Sequence, residues 1–178
     1  MIASETVFAG RLISVRVDQV EAVGGRRARR EVVVHPGAVA VVPVLSDGQV
    51  LMVRQYRHAA GRVLWELPAG TLAPGESPLA CAQRELAEET GFAADTWHHL
   101  FSTYLSPGYS TELIHLFLAQ GLRPIASAPE EDERLEPVAL PLAEAVAKVG
   151  CGEVQNAAAI CGLLAVARWG GAAAGAVE

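Results

Sequence analysis

Residues 70–92, GTLAPGESPLACAQRELAEETGF, place a loop rich in glycine and proline directly before a short acidic helix. Ser77 is the expected N-cap and Pro78 the first helical residue, because proline lacks the N–H that would be unpaired at that position. Gly91 is expected to end the helix, because glycine readily takes the left-handed conformation of a C-terminal cap. The stretch therefore predicts one helix from Pro78 to Thr90.

The predicted helix gathers three glutamates on one side. At about 100° per residue, Glu85, Glu88 and Glu89 fall within a narrow arc. The apolar residues form a second arc that faces the core: Leu79, Ala82 and Leu86. Arg84 lies one turn before Glu88 and can pair with it, which leaves Glu85 and Glu89 adjacent without an obvious partner. A hard cation such as Mg²⁺ or Mn²⁺ would offset their repulsion, although RELAEE alone also fits a solvated helix face.

The size and charge of the chain limit its function. It has 178 residues and a formal net charge of −6, which fits one domain, or one domain with a small appendage. The acidic balance argues against nucleic-acid binding, which needs a basic face. It does not exclude a small anionic substrate, because a bound metal inverts the local field. We expect no signal peptide, because the N-terminus lacks a basic start followed by a continuous apolar run. We expect no membrane helix, because no apolar run reaches about 18 residues.

The cysteines are Cys81, Cys151 and Cys161, an odd count without C-x-x-C spacing. This pattern argues against structural zinc and against a disulfide framework. We interpret all three as small buried hydrophobes of a protein in the reducing cytoplasm.

Hydrophobic patterns predict the strands of the first half. RLISVRVDQVEAV alternates, and Gly24-Gly25 then predicts a hairpin to EVVVH, so a small antiparallel sheet should cover roughly residues 5 to 35. AVAVVPVL is a continuous β-branched run, typical of a strand buried on both faces. SDGQ predicts a turn that makes VLMVRQYR its hairpin partner. VLWELPAG should be a further strand, stopped by Pro68 and Gly70.

The second half predicts two strands, HHLFSTYLS and ELIHLFLAQ, around the loop PGYST. The acidic segment APEEDERLEPVALP should be a loop that enters a strand. LAEAVAKVGCG and NAAAICGLLAVARW predict helices. The order indicates an α+β fold, an α/β/α sandwich with a mixed sheet.

The spacing of the acidic segment resembles a known motif. Gly70, five residues, Glu76, seven residues and then RELAEETGF at residues 84–92 match every position of the Nudix box, G-x5-E-x7-R-E-U-x-E-E-x-G-U with U aliphatic or aromatic. The resemblance implies the Nudix fold and metal-dependent hydrolysis of nucleoside diphosphates linked to another group. The cofactor it implies is Mg²⁺ or Mn²⁺.

Features outside the box resemble the ADP-ribose pyrophosphatase branch of that family: VRQYR, WELPAG, SPGYSTE and PEEDERLE. This likeness implies hydrolysis of ADP-ribose to AMP and ribose 5-phosphate. Two alternatives stay open: a hydrolase of GDP-mannose or another nucleoside diphosphate sugar, and a non-catalytic ADP-ribose sensor.

The branch also implies a domain-swapped homodimer, formed through the small N-terminal sheet. The predicted division of the chain is an N-terminal sheet at residues 1–36, a hydrolase domain at 37–170 and a flexible tail at 171–178.

The resemblance implies a set of metal ligands. Glu85, Glu89 and the carbonyl of Ala69 are expected to hold the metal, and Glu133 is expected to add a further ligand. Glu88 is expected to act through water or to be held by Arg84 in a structural role, and both readings stay open. Glu76 is a box position whose simplest interpretation is an orienting contact near the loop.

The resemblance points to Glu131 as the base that activates water, although Glu130 and Glu133 are easily confused with it. PEEDERLE is otherwise an ordinary loop composition.

Arg57 in RQYR and Glu112 in SPGYSTE resemble positions that hold substrate in this branch. The planar guanidinium of Arg57 suits bidentate binding of a phosphate. Arg54 is the rival of Arg57. Glu66 is expected to orient an arginine or the ribose.

Four arginines stand within five residues: Arg26, Arg27, Arg29 and Arg30. Arg30 aligns with an arginine that reaches the neighbouring subunit's substrate, and a solvated hairpin end is the alternative for the cluster. Phe8, Tyr104 and Tyr109 could stack on adenine, although we expect core packing for Tyr104.

Overall fold

A computed structural model describes residues 1–126 and 135–170, together with the backbone of residues 175–176. The strands in chain order are β1 (Ala3–Ala9), β2 (Ser14–Glu21), β3 (Arg27–Val34), β4 (Ala38–Pro43), β5 (Gln49–Arg57), β6 (Arg62–Glu66), β7 (Ala69–Thr71), β8 (Phe92–Tyr104), β9 (Leu113–Pro124), β10 (Leu135–Pro141) and β11 (Gly175–Ala176). The helices are α1 (Pro78–Thr90), α2 (Leu142–Gly150) and α3 (Ala157–Trp169).

The centre of the molecule is a mixed sheet in the order β11-β8-β9-β4-β7, in which β4 and β9 run parallel. Every residue of β4 is buried. Val39 and Val41 pack in one cluster with Leu86 of α1, whereas Val42 packs in another with Leu163 of α3. Successive side chains of a strand point to opposite faces, so helices cover the sheet on both sides. This confirms the α/β/α sandwich and the doubly buried strand.

Helix α3 lies unusually close to the sheet at Gly162. A β-carbon there would stand 2.8 Å from Leu67 Cδ1 and 2.9 Å from Val42 Cγ2, closer than van der Waals contact permits. The absent side chain therefore lets α3 settle on the sheet, and the start of α3 is held at one edge of the site described below.

The predicted hairpin between β4 and β5 is wrong. The turn forms as expected, with Asp47 Oδ1 accepting the Gln49 N–H at 3.0 Å, but a single bridge between Val44 and Val50 joins the two segments. Both edges of β4 are occupied, by β9 and β7. Strand β5 instead pairs with β6 and β10 in a separate antiparallel sheet.

The single strand predicted over VLWELPAG is also wrong. It divides into β6, which pairs with β5, and β7, which pairs with β4. Pro68 lies between them, and its carbonyl accepts the Val41 N–H at 2.8 Å. Gly70, expected to stop a strand, lies inside β7.

The N-terminal sheet has three antiparallel strands, β1-β2-β3, rather than the predicted hairpin alone. Gly24 and Gly25 take φ values of +83° and +75° in the expected turn. The sheet joins the rest of the chain through β3, where the Val33 N–H donates to the Tyr109 carbonyl at 2.7 Å and the Val33 carbonyl accepts the Thr111 N–H at 2.9 Å.

Cys81 is buried, but Cys151 is exposed, so the buried interpretation is wrong for that thiol. Of the C-terminal tail, the structure describes Gly175 and Ala176, which pair with β8. None of the described helices has the length and apolar content that crossing a membrane would require.

Candidate functional site

Helix α1 has the ends that its sequence predicts. Ser77 Oγ accepts the Ala80 N–H at 3.2 Å, and Pro78 is the first helical residue. Gly91 takes φ +73° and donates its N–H to the Ala87 carbonyl. These caps fix where α1 starts and ends, and therefore which direction its glutamates face.

Arg84 is hydrogen-bonded to three carboxylates of the motif. Its Nε donates to Glu76 at 2.9 Å, and its Nη1 donates to Glu85 at 2.7 Å and to Glu88 at 2.9 Å. The predicted pairing with Glu88 is confirmed. The expectation that Glu85 and Glu89 lack partners is wrong, because Glu85 shares Arg84 and Glu89 accepts the Ala69 N–H at 3.0 Å.

Glu76 ties the loop to the helix. One carboxylate oxygen accepts from Arg84 Nε, and the other accepts the Ala73 N–H at 3.0 Å. The hydrogen bonds from Arg84 lower the pKa of Glu76 to about 2. The hydrogen bonds to its carboxylate partners, of which the one to Glu76 contributes most, raise the pKa of the Arg84 guanidinium. The expected orienting contact near the loop is what Glu76 makes.

A thiol lies beneath this network. Cys81 is fully buried, and its Sγ lies 3.6 Å from the Thr71 carbonyl. Burial raises the pKa of Cys81 to about 12. The thiol therefore stays protonated and inert at neutral pH.

Gly70 allows the loop and helix to meet. A β-carbon at this position would lie 1.8 Å from Glu85 Oε1. Such a distance is impossible without displacing the carboxylate, so the glycine is required by close approach. The structure thereby explains the first position of the motif.

A cavity of about 770 Å³ opens beside α1, a size typical of small-molecule sites. Its acidic wall consists of Glu85, Glu88 and Glu89, next to Ala69 and Gly70. Its other charged lining residues are Arg11, Arg57, Glu66, Arg84 and Glu112. The cavity thus brings carboxylates and arginines together in one place.

Arg57 and Glu66 form a fork within this cavity. Arg57 Nη2 donates to Glu66 Oε2 at 2.7 Å, and its Nε donates to Oε1 at 3.0 Å. Glu66 is 1% exposed, so its charge is held by a partner in the way buried charges require. Arg54, the rival, instead pairs with Glu136 at 3.0 Å and lies 5.5 Å from the Trp65 ring centre. The geometry places Arg57 at the cavity.

The remaining predicted residues divide into three groups. Glu112 lines the cavity. Arg30 lies on β3, and its Nη1 donates to the Arg29 carbonyl at 2.8 Å. It is not part of the lining formed by its own chain's described residues. Glu130, Glu131 and Glu133 lie outside the described residues, so their roles stay predictions.

The three candidate aromatics are all largely exposed. Phe8 is 53% exposed, Tyr104 55% and Tyr109 60%. Core packing of Tyr104 is therefore wrong.

The oxygen donors on the acidic wall fit a hard divalent cation in kind. Within residues 1–126 and 135–170, however, no three His, Cys, Asp or Glu side chains form a metal-ligand group. Leu135, which directly follows residues 127–134 in the sequence, lines the same cavity.

Among the described lining residues, sequence reasoning missed three polar ones, Arg11, Thr71 and Asn156. Asn156 is the N-cap of α3, and its Oδ1 accepts the Ala159 N–H at 3.0 Å. A helix-start signal could have identified that cap, but not its position at the cavity. Arg11 precedes β2 in a turn, and no local pattern marks it as part of a site.

Comparisons with known proteins agree with this geometry. The NUDIX domain family profile matches residues 34–157. An ADP-ribose pyrophosphatase of Mycobacterium tuberculosis is 46% identical over 168 residues, covering 93% of this chain and 81% of the relative. An ADP-ribose pyrophosphatase of Bacillus subtilis is 41% identical over 158 residues, covering 88% and 85%.

A solved structure of an ADP compounds hydrolase superposes with a TM-score of 0.84 at 29% identity, covering 94% of this chain and 91% of that one. A GDP-mannose pyrophosphatase of Yersinia enterocolitica is 36% identical over 129 residues, covering 67% of each chain. Motif, fold and relatives agree, and the chain belongs to the NUDIX domain family as one of its hydrolases.

Proposed function

We propose that the chain hydrolyses the pyrophosphate bond of ADP-ribose. Water adds to one phosphorus, the bond from that phosphorus to the bridging oxygen breaks, and the products are AMP and ribose 5-phosphate. The observation that carries the proposal is the cavity in which the acidic wall of α1 faces the same space as Arg57. The two ADP-ribose pyrophosphatases that match most of the chain support this choice of substrate.

The acidic wall would hold the cation. Glu85, Glu89 and the Ala69 carbonyl are the proposed ligands for Mg²⁺ or Mn²⁺, with Glu88 acting through water or remaining on Arg84. Glu133 is proposed as a further ligand. When bound, such a cation supplies positive charge that neutralises the phosphoryl oxygens.

The side chains of the cavity do the remaining work. Arg57 binds phosphate oxygens, and the buried Glu66 fixes the direction of its guanidinium. Glu112, which lines the same cavity, is proposed to hold substrate. Glu131 takes the proton of the attacking water at its carboxylate, which makes the water a better nucleophile.

A second substrate class deserves a place in the test. The Yersinia relative supports GDP-mannose or another nucleoside diphosphate sugar as the substrate. The acidic helix does not discriminate between these substrates, because recognition of the nucleobase depends on loops. A sensor without turnover is disfavoured, since every carboxylate of the motif is present.

The proposed active form is a domain-swapped homodimer. Every residue of β1 is exposed, and the sheet presents large apolar side chains: Ile2, Val7 and Phe8. A partner subunit that covers this sheet would bury that surface, and Arg30 would then reach the cavity of the partner subunit. The cytoplasmic location stays a prediction from cysteine usage.

A substrate panel with Mg²⁺ tests the proposal: ADP-ribose, GDP-mannose, UDP-glucose, NADH and diadenosine polyphosphates, with products identified by mass. We expect ADP-ribose to be preferred and AMP to appear. Preference for another sugar nucleotide would overturn the substrate and keep the hydrolase. Binding of ADP-ribose without cleavage would revive the sensor.

The acidic wall has its own test. Glu85→Gln and Glu89→Gln should each lower kcat by at least about 1,000-fold while the protein stays folded. Glu144→Gln on α2 is the matched control. Glu144 is exposed, and its ion pair with Lys148 is long, at 3.9 Å. Wild-type turnover in both cavity variants would refute the metal assignment.

A further inference from the structure

Among the residues that the structure describes, three arginines line the cavity, and two of them pair with carboxylates. Arg84 donates to three glutamates, and Arg57 makes three hydrogen bonds to Glu66. Arg11 makes no side-chain hydrogen bond or ion pair with any residue in the described part of the chain, and it is exposed. Among these three guanidiniums, that of Arg11 is therefore the one that no described carboxylate orients or neutralises, whereas Arg57 meets a ligand with its charge already paired to Glu66.

The turn that carries Arg11 is built tightly. The Gly10 N–H donates to the Ile13 carbonyl at 2.9 Å, which closes the link between β1 and β2. A β-carbon on Gly10 would lie 2.8 Å from the Phe8 ring, so the ring packs directly over this glycine and would have to shift to admit a larger residue. This packing presents Arg11 and its neighbour Leu12 to the cavity of their own chain.

The chemistry of the cavity gives an available arginine a purpose. A nucleoside diphosphate carries negative phosphates. The described part of the cavity lining carries five glutamates: Glu66, Glu85, Glu88, Glu89 and Glu112. Repulsion from these carboxylates opposes binding wherever no cation intervenes. An arginine with available donors offsets that repulsion and can hold two phosphate oxygens at once.

We propose that Arg11 is a substrate-binding residue that donates to the phosphates of the nucleoside diphosphate from within the same chain. The inference rests on the proposed function and adds to it a residue outside the Nudix motif. It also separates two contributions of the N-terminal sheet. Arg11 acts on its own chain's cavity, whereas Arg30 is proposed to act on the partner's.

Steady-state kinetics with ADP-ribose and Mg²⁺ test the assignment. Arg11→Ala should raise KM about 10-fold and change kcat by no more than about 2-fold, because a charge-assisted hydrogen bond to bound substrate is lost. Arg11→Lys should recover part of the loss, since it keeps the charge without the bidentate fork. Arg123→Ala is the control, because this exposed arginine pairs with Asp95 at 3.3 Å, outside the cavity.

Binding of ADP, followed by calorimetry, separates this proposal from the previous one. If the wild type fails to cleave ADP-ribose, the proposed function fails, and ADP affinity still tests Arg11. We expect Arg11→Ala to bind ADP about 10-fold more weakly than the wild type and Arg123→Ala to match it. Equal affinity and equal KM in Arg11→Ala would overturn the assignment. So would a wild type that does not bind ADP, or a loss in kcat alone.

Discussion

Two regions of the molecule differ in how many of their contacts lie within one chain: helix α1 with its preceding loop, and the N-terminal sheet. In α1 the described carboxylates have partners within the chain, and Leu86 is fully buried against the sheet. In the N-terminal sheet every residue of β1 is exposed, including Phe8 at 53%. The side chains of the acidic helix find their partners within one chain, whereas the N-terminal sheet has an exposed surface that a partner subunit would cover.

The contrast teaches where each region obtains its stability. The α1 region is held by local hydrogen bonds and by burial in the sandwich, so it should form in any folded monomer. A three-stranded sheet with one uncovered face gains little from burial. If the dimer is the source of its order, the two regions should respond differently to the same kind of change.

Removal of residues 1–34 should have the largest effect. We expect a monomer in sedimentation velocity and loss of ADP-ribose turnover, because both Arg11 and Arg30 are removed with the proposed dimer surface. The far-ultraviolet circular dichroism should still show a folded sandwich. An active monomer would break the comparison, since the sheet would then be dispensable.

Gly70→Ala should have the next largest effect. The new methyl group overlaps Glu85, which must turn away from its place. We expect activity to fall by about 100-fold with a small change in Tm, because the carboxylate is at the free end of a flexible side chain. Gly150→Ala is the control, since a β-carbon there meets nothing within 4 Å. Unchanged kinetics in Gly70→Ala would show that the close approach of loop and helix is unnecessary.

Glu66→Gln should have a moderate effect on stability. Glutamine keeps one acceptor for Arg57 but loses the charge, and we expect a cost of about 1–2 kcal/mol in the free energy of unfolding. If Glu66 acts through Arg57, the KM effects of Glu66→Gln and Arg57→Ala should be non-additive. Additive effects would instead indicate that Glu66 contacts substrate directly.

Glu76→Gln should have the smallest effect of these changes, and its effect on Tm should be present at neutral pH and disappear in acid. The pKa of Glu76 is lowered to about 2 in the folded protein, so its contribution is present above about pH 5 and is lost as the pH falls toward about 2. Wild-type Tm should therefore fall more steeply over this window than Tm of the variant. Glu5→Gln removes an exposed carboxylate from the other region as a control. Parallel Tm curves for wild type and Glu76→Gln would contradict the pairing with Arg84.

The sequence predicted the parts of the fold that depend on local chemistry. Ser77, Pro78 and Gly91 specify the ends of α1 through backbone hydrogen bonds within a few residues, and the structure shows each of them. Strand β4 was predicted as buried on both faces because its composition alone carries that information. The family motif was equally readable, because it consists of fixed spacings.

Long-range pairing could not be read in the same way. The Asp47-Gly48 turn forms, yet β4 and β5 belong to different sheets. Both edges of β4 are occupied by strands that come later in the chain, β7 and β9. The partners of Glu85 were missed for a related reason. Spacing showed Arg84 within reach of Glu88, but rotamers let the same guanidinium reach three carboxylates. Arg11 enters the cavity only through the tertiary placement of a turn.

The absent side chain at Gly70 also limits how this chain can evolve. Any other residue there collides with the Glu85 carboxylate, so a substitution at position 70 is tolerated only together with a shorter or differently placed side chain at position 85. Because Glu85 is itself proposed to be indispensable, that compensating change is closed to a working enzyme. Among active homologues, Gly70 and Glu85 should therefore both stay fixed, because any side chain at position 70 displaces the carboxylate at position 85.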